Sequence, residues 1–200
     1  MADHDNADLR TIDWDEPAWL NQPLATKRDG GDLLVTAKNG SDFWRTTSYG
    51  FVHDDGHGLL IPFPVGAAVE VSFVADLSEQ FDQAGVLIRV DEQTWIKCGI
   101  EFCDGAPQLG AVVTREVSDW STAPVPDWAG GLVTIRASRS GDAITVRARR
   151  EDGPWQLVRL APFPTEAQAS AGPMICAPSR ENLTVRFTRF AIGPADGTLH

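Results

Sequence analysis

Basic residues are scarce in this chain: 17 Lys and Arg stand against 28 Asp and Glu, a net charge of −11 over 200 residues. Gripping a phosphate backbone or an anionic bilayer takes a basic stripe, so neither nucleic acid nor membrane is expected as a partner. No stretch approaches the roughly 18 consecutive apolar residues of a membrane-spanning helix. The opening MADHDNADLR has neither a basic n-region nor an apolar h-region. Cysteine is sparse as well. Cys98, Cys103 and Cys176 form an odd set without C-x-x-C spacing, so neither a disulfide framework nor a structural zinc site is expected. Free thiols and the missing leader point to the cytoplasm. The G-x-G-x-x-G, P-loop and G-x-S-x-G patterns are all absent, which removes the usual nucleotide cradles and the nucleophile elbow; no cofactor is expected. Helical periodicity is nearly missing too. Only Thr165 to Ala171 suggests a short helical turn, and no strand-then-helix alternation supports an α/β enzyme.

What remains is β-pattern. Short alternating runs bounded by Gly, Pro, Asn and Asp recur at 33–37, 58–61, 67–75, 84–90, 95–102, 109–117, 131–138, 143–149, 155–160 and 183–192. Such spacing predicts an all-β antiparallel sandwich or jelly roll. One domain over 1–200 is expected, with fraying at 1–9 and 195–200. Between two of the runs, Ser138 to Asp142 predicts a hairpin in which Gly141 takes the positive φ of the turn.

The stretch FDQAGVLIRVDEQTWIKCGIEF at 81–102 is the most informative. Val86, Ile88, Val90, Ile96, Cys98, Ile100 and Phe102 fall on one face, while Leu87, Arg89, Trp95, Lys97 and Glu101 fall on the other. An odd loop count keeps the aliphatics together. With Glu92, Gln93 and Thr94 as the loop, Val90 faces Ile96 and Arg89 faces Lys97. Like charges in that register repel, so an acidic partner is expected from a neighbouring strand, a loop or a ligand.

Four stretches together resemble the DUF1349 family: SDFWRTTSYGFVHDDGHGLL at 41–60, DQAGVLIRVDEQTWIKCGIEF at 82–102, VVTREVSDWST at 112–122, and GPMICAPSRENLTVRFTRFAIGP at 172–194. The resemblance implies a concanavalin A-like β-sandwich. It also implies a regulatory protein that acts on a metabolic enzyme, and hence a protein partner. No activity is assigned to the family.

A sugar site on a sandwich combines aromatic rings, which lie against pyranose C–H faces, with planar polar groups that satisfy hydroxyls. Seven tryptophans occur, and Trp44, Trp95 and Trp120 sit within those stretches. Gln83, Arg89, Lys97, Glu101, Ser118 and Asp119 are the polar candidates, with Ser118-Asp119-Trp120 read as a loop. Core packing is the competing reading for each tryptophan. For Arg89, Lys97 and Glu101 it is a solvated face or a structural ion pair. Glycoside hydrolysis needs two carboxyls flanking one bond. No E-x-D-x-E occurs, Glu101 and Asp104 fall on opposite faces, and a dyad would have to come from separate strands, such as Glu101 with Asp119. A lyase would use Lys97 as base and Arg89 against a uronate. No catalytic residue is assigned. His53-Asp54-Asp55-Gly56-His57 carries four potential ligands in five residues, but Asp-Asp-Gly signals a hairpin that folds the segment back, so no metal site is expected. The expected function is non-catalytic binding of a carbohydrate or related polar small molecule in a concave groove, with Arg89 and Lys97 suggesting an anionic group on it. The rivals are docking on a protein partner and a hydrolase or lyase.

Overall fold

A computed structural model describes residues 9–199, so residues 1–8 and 200 of the ends expected to fray lie outside the described range. Among the described residues seventeen strands, numbered along the chain, pair antiparallel throughout. One sheet runs β15 (Gln156–Pro162), β14 (Ala143–Arg150), β13 (Leu132–Ser140), β8 (Ala67–Ala75), β17 (Thr184–Pro194), β4 (Asp32–Thr36) and β3 (Ala25–Asp29), with β1 (Arg10–Thr11) also on β17. The second runs β12 (Val117–Pro124), β11 (Ala106–Arg115), β10 (Thr94–Cys103), β9 (Gln83–Arg89), β16 (Ser170–Cys176), β7 (His57–Pro62) and β2 (Ala18–Leu20). A small ribbon pairs β5 (Phe43–Arg45) with β6 (Val52–Asp54). No helix among the described residues is long and apolar enough to cross a membrane.

Alternation explains the layering. Val71, Phe73, Ile135, Val146 and Phe187 point from the first sheet, and Val86, Ile88, Ile96, Cys98 and Ile100 from the second, into one buried cluster between them. The fold is the antiparallel sandwich that the run spacing predicts. Turn chemistry sets the hairpins. Gly141 (φ +59) opens a two-residue loop between β13 and β14, and Asp104-Gly105 (φ +54 and +79) does the same between β10 and β11.

Several expectations are corrected. β16, where no run is expected, lies inside the second sheet between β9 and β7, although Pro is rare in interior strands. Its ladder to β7 holds at Ser170, Ala171, Met174 and Ile175 and skips Gly172 and Pro173, so the missing N–H falls in a gap. Residues 165–171 form no helix. A turn closes from the Ala167 N–H to the Pro164 carbonyl (3.3 Å), and the buried Arg139 collects the carbonyls of Phe63, Pro164, Thr165 and Ala167. Asp54-Asp55-Gly56 closes no hairpin either: β6 returns to β5, whereas β7 pairs with β2 and β16. At the C-terminal end, the Asp196 carboxylate, 5 % exposed, accepts from Arg136 and Arg147, and the Ala195 N–H reaches the Gly66 carbonyl at 2.8 Å.

Candidate functional site

The outer face of the second sheet is not open to solvent over its whole width. Residues 42–56 fold across it and bury a second apolar cluster of Phe43, Trp44, Leu87, Trp95, Val112 and Met174, with Cys176. Each large side chain removed from water there contributes about 1.5–3 kcal/mol, enough to hold a segment that has only two short strands of its own. Polar clamps fix its edges. Arg89 forks onto Asp54 at 2.5 and 2.8 Å. The Arg45 backbone N–H donates to Ser118 Oγ (2.9 Å) and its Nε to the Glu116 carbonyl (2.9 Å). Asn21 Nδ2 donates to the carbonyls of Asp54 and Gly56.

Between this cover and β10–β12 lies a cleft of about 320 Å³, within the size range of small-molecule sites. A chain of ring contacts runs around it. His53 meets Phe51 (5.0 Å), Phe51 stacks on Tyr49 (5.4 Å), and Tyr49 meets Trp44 edge-on (5.5 Å). Trp120 then stands at 6.4 Å from both Trp44 and Phe81. The loop that carries Tyr49 is conformationally costly: Thr46 and Ser48 hold φ of +63 and +65, on the order of 1–3 kcal/mol each. Hydrogen bonds from the Thr46 N–H to the Phe51 carbonyl and from the Gly50 N–H to the Thr46 carbonyl keep it so.

The floor is polar. Lys97 Nζ donates to Asp42 Oδ1 at 2.7 Å, and Gln83 and Glu101 lie beside them in the lining. Burial is the largest influence and works against the Lys97 ammonium, but Asp42, Cys176 and Glu101 together outweigh it and the pKa rises above the ordinary lysine value. Glu101 moves the other way relative to its charge. Burial pushes its carboxyl up to about 7, with Lys97 opposing and Asp42 reinforcing the shift. The floor therefore holds a firmly charged ammonium and a carboxyl that titrates near neutrality. Beside it Gly85, Gly99 and Gly110 stand in register on β9, β10 and β11, and Gly85 and Gly99 are buried. A Cβ on Gly99 would lie 2.1 Å from the Ala84 carbonyl oxygen, so glycine is required there by backbone approach.

Of the residues singled out from the sequence, Trp44, Gln83, Lys97, Glu101 and Trp120 meet in the cleft. The others do not. Trp95 is fully buried beneath Phe43, with ring centroids 5.9 Å apart, and offers no surface to a ligand. Arg89 is a clamp of the cover, and it faces Trp95 rather than Lys97. Ser118-Asp119-Trp120 is not a loop but part of β12, so alternation separates its members. Trp120 turns to the cleft, Ser118 binds Thr114 and Arg45, and Asp119 pairs with Arg159 of the first sheet at 2.8 Å. The sequence reading missed Asp42, Tyr49, Phe51 and Phe81. One signal for the cover was available in Leu87 and Trp95, apolar side chains on a face that solvent would have made polar.

The suspected metal ligands part company. His53 joins the aromatic rim, Asp54 holds Arg89, and Asp55 bonds His53 and the Asp42 N–H. His57 is buried, its Nε2 accepting from the Lys38 N–H and its Nδ1 placed 3.0 Å from the Asn21 carbonyl. Burial lowers its pKa. Among the described residues no group of three or more His, Cys, Asp or Glu is placed to hold a metal ion.

Residues 19–195 match the family described as "Protein of unknown function (DUF1349)". The chain belongs to that family. This DUF1349 protein is 35 % identical over 186 residues to "Regulation of enolase protein 1" of Saccharomyces cerevisiae, covering 91 % of this chain and 92 % of that one. A crystal structure of a functionally unknown S. cerevisiae protein superposes with a TM-score of 0.85 at 33 % identity, over 93 % of this chain and all of that one. A xylan beta-1,4-xylosidase from Bacillus halodurans C-125 also superposes, with a TM-score of 0.68 at 15 % identity. There the match covers 96 % of this chain but 40 % of the xylosidase, and it shows likeness of fold alone.

Proposed function

We propose that this DUF1349 protein binds a carbohydrate or a related polar small molecule in the cleft over β10, without transforming it. The observation that supports this reading best is the pairing of an aromatic rim with a polar floor in one cavity. Rings cover C–H faces while Lys97, Asp42, Gln83 and Glu101 address hydroxyls. The anionic ligand suggested by Arg89 and Lys97 has less support, because Asp54 and Asp42 already neutralise both cations. A catalytic reading is weaker for a similar reason: of the two carboxyls in the lining, Asp42 is engaged by Lys97 and by the Phe43 N–H. Three buried free thiols fit a cytoplasmic setting.

A second reading has its own observation. Tyr49, Phe51 and Val52, at the turn of the ribbon and the start of β6, are 50, 44 and 51 % exposed, a surface suited to a protein partner, and the yeast relative's name speaks of enolase regulation. Thermal unfolding with a panel of neutral and acidic sugars, polyols and small metabolites at millimolar concentration tests the first reading. A ligand that binds the native state raises the midpoint. A midpoint unmoved across the panel rejects it.

A further inference from the structure

We infer that the Lys97–Asp42 pair reads two hydroxyls on adjacent carbons of an uncharged pyranose, with Glu101 taking a third polar contact and the aromatic rim covering the sugar's carbon face. This rests on the binding reading above and makes it specific.

Unused hydrogen-bonding capacity carries the inference. An ammonium has three N–H donors, and among the described residues Lys97 uses one, to Asp42 Oδ1. It is nonetheless 4 % exposed and lines the cleft. Asp42 Oδ1 is crowded, accepting from Lys97, from the Phe43 N–H and, at 3.4 Å, from Gln83 Nε2. Oδ2 of Asp42, both oxygens of Glu101 and Oε1 of Gln83 have no hydrogen-bond partner among the described residues. None of these oxygens is sealed from solvent, so a guest in the cleft can reach them. The floor therefore awaits a guest that both accepts and donates.

Charge selects which guest. A carboxylate or phosphate would satisfy the ammonium but would face the lone pairs of Asp42 and Glu101. An ammonium on the guest would face Lys97. A hydroxyl does both tasks at once, accepting from Nζ and donating to a carboxylate. The donor and acceptor of the ion pair stand 2.7 Å apart, a spacing comparable to that of hydroxyl oxygens on neighbouring ring carbons.

The test compares methyl pyranosides of xylose, glucose, galactose and mannose, followed by tryptophan indole NMR signals and titration calorimetry on the intact protein. At least one is expected to shift the indole signals and bind. For that sugar, the monodeoxy analogue lacking one of the paired hydroxyls should bind at least tenfold more weakly, and the matching uronate should also bind more weakly. Asp42→Asn, which preserves shape, should weaken the parent sugar far more than it weakens the deoxy analogue. A deoxy analogue within twofold of its parent, or a uronate that binds tighter, overturns the inference while leaving the binding reading intact. Binding of other polar metabolites but no pyranoside does the same. If nothing in either panel binds, both fall.

Discussion

Lys97 and Asp42 lie 55 residues apart in sequence and meet at 2.7 Å beneath the cover segment, with side chains 5 and 15 % exposed. The strand β10 supplies the ammonium because position 97 faces outward, and residue 42, at the start of the cover, supplies the carboxylate. One contact thus ties the wall of the cleft to its floor. Burial makes the pair unequal to its parts, since removing either partner leaves a charge in a dry place.

Lys97→Met should therefore destabilise the protein by about 3 kcal/mol. Adding Asp42→Asn to Lys97→Met should recover much of that loss, because the stranded carboxylate is gone. Urea unfolding of the two single variants and the double variant measures the coupling. Simple additivity would show that the pair is not the tie described.

Glu101 gives a pH signature. Its carboxyl sits at about 7 in the folded state against an ordinary 4.5, so the folded protein binds the proton more tightly than the unfolded chain. Stability from this group is complete below about 4.5 and is lost as pH rises through about 7. Glu101→Gln removes the titration. It should be more stable than the parent at pH 8 by about 2 kcal/mol, and close to it at pH 5. Parallel stability curves for the two proteins between pH 5 and 8 would contradict the burial of this carboxyl.

The strand pattern was legible because period two is local; the cover was not, because its partners are distant in sequence. Parity placed Arg89, Trp95, Lys97 and Glu101 on one face correctly even though the register was wrong by two residues. Arg89 pairs with Trp95, so the five residues 90–94, rather than the three of 92–94, separate the two members of the last β9–β10 pair. Both counts are odd, which is why the faces survived. The longer loop is closed by Asp91, whose Oδ1 accepts from the Gln93 N–H at 2.8 Å, and by the Val90 N–H on the Thr94 carbonyl. Alternation also cannot say whether an outward face meets water or another segment. Hence alternation alone points to Trp95 and Arg89 as ligand contacts, whereas one is roofed over and the other fastens the roof.

Arg89 should consequently behave as a fastener. Arg89→Met breaks the fork onto Asp54 at the end of β6. The expected result is faster amide exchange across residues 43–54, with exchange in β13 and β14 unchanged, and a weakened affinity for any cleft ligand without a direct contact being lost. Unaltered exchange in the cover would mean that the apolar cluster under it suffices.

Tyr49 and Phe51 separate the two functional readings. They stack on each other at the exposed loop of the ribbon and line the cleft together with the more deeply placed Trp44 and Trp120. Replacing both with Ser removes their contacts with each other, Trp44 and His53, so stability should fall by about 1–2 kcal/mol. If the cleft holds a sugar, affinity should fall modestly, roughly three- to tenfold, because Trp120 and Lys97 persist. If this face docks on a protein, the same double variant removes the aromatic anchors and should abolish binding to that partner. Titrating the variant against purified enolase and against the sugar identified above yields opposite patterns for the two readings. Enolase binding lost with sugar binding nearly intact would assign the loop to a partner and the cleft to a separate ligand.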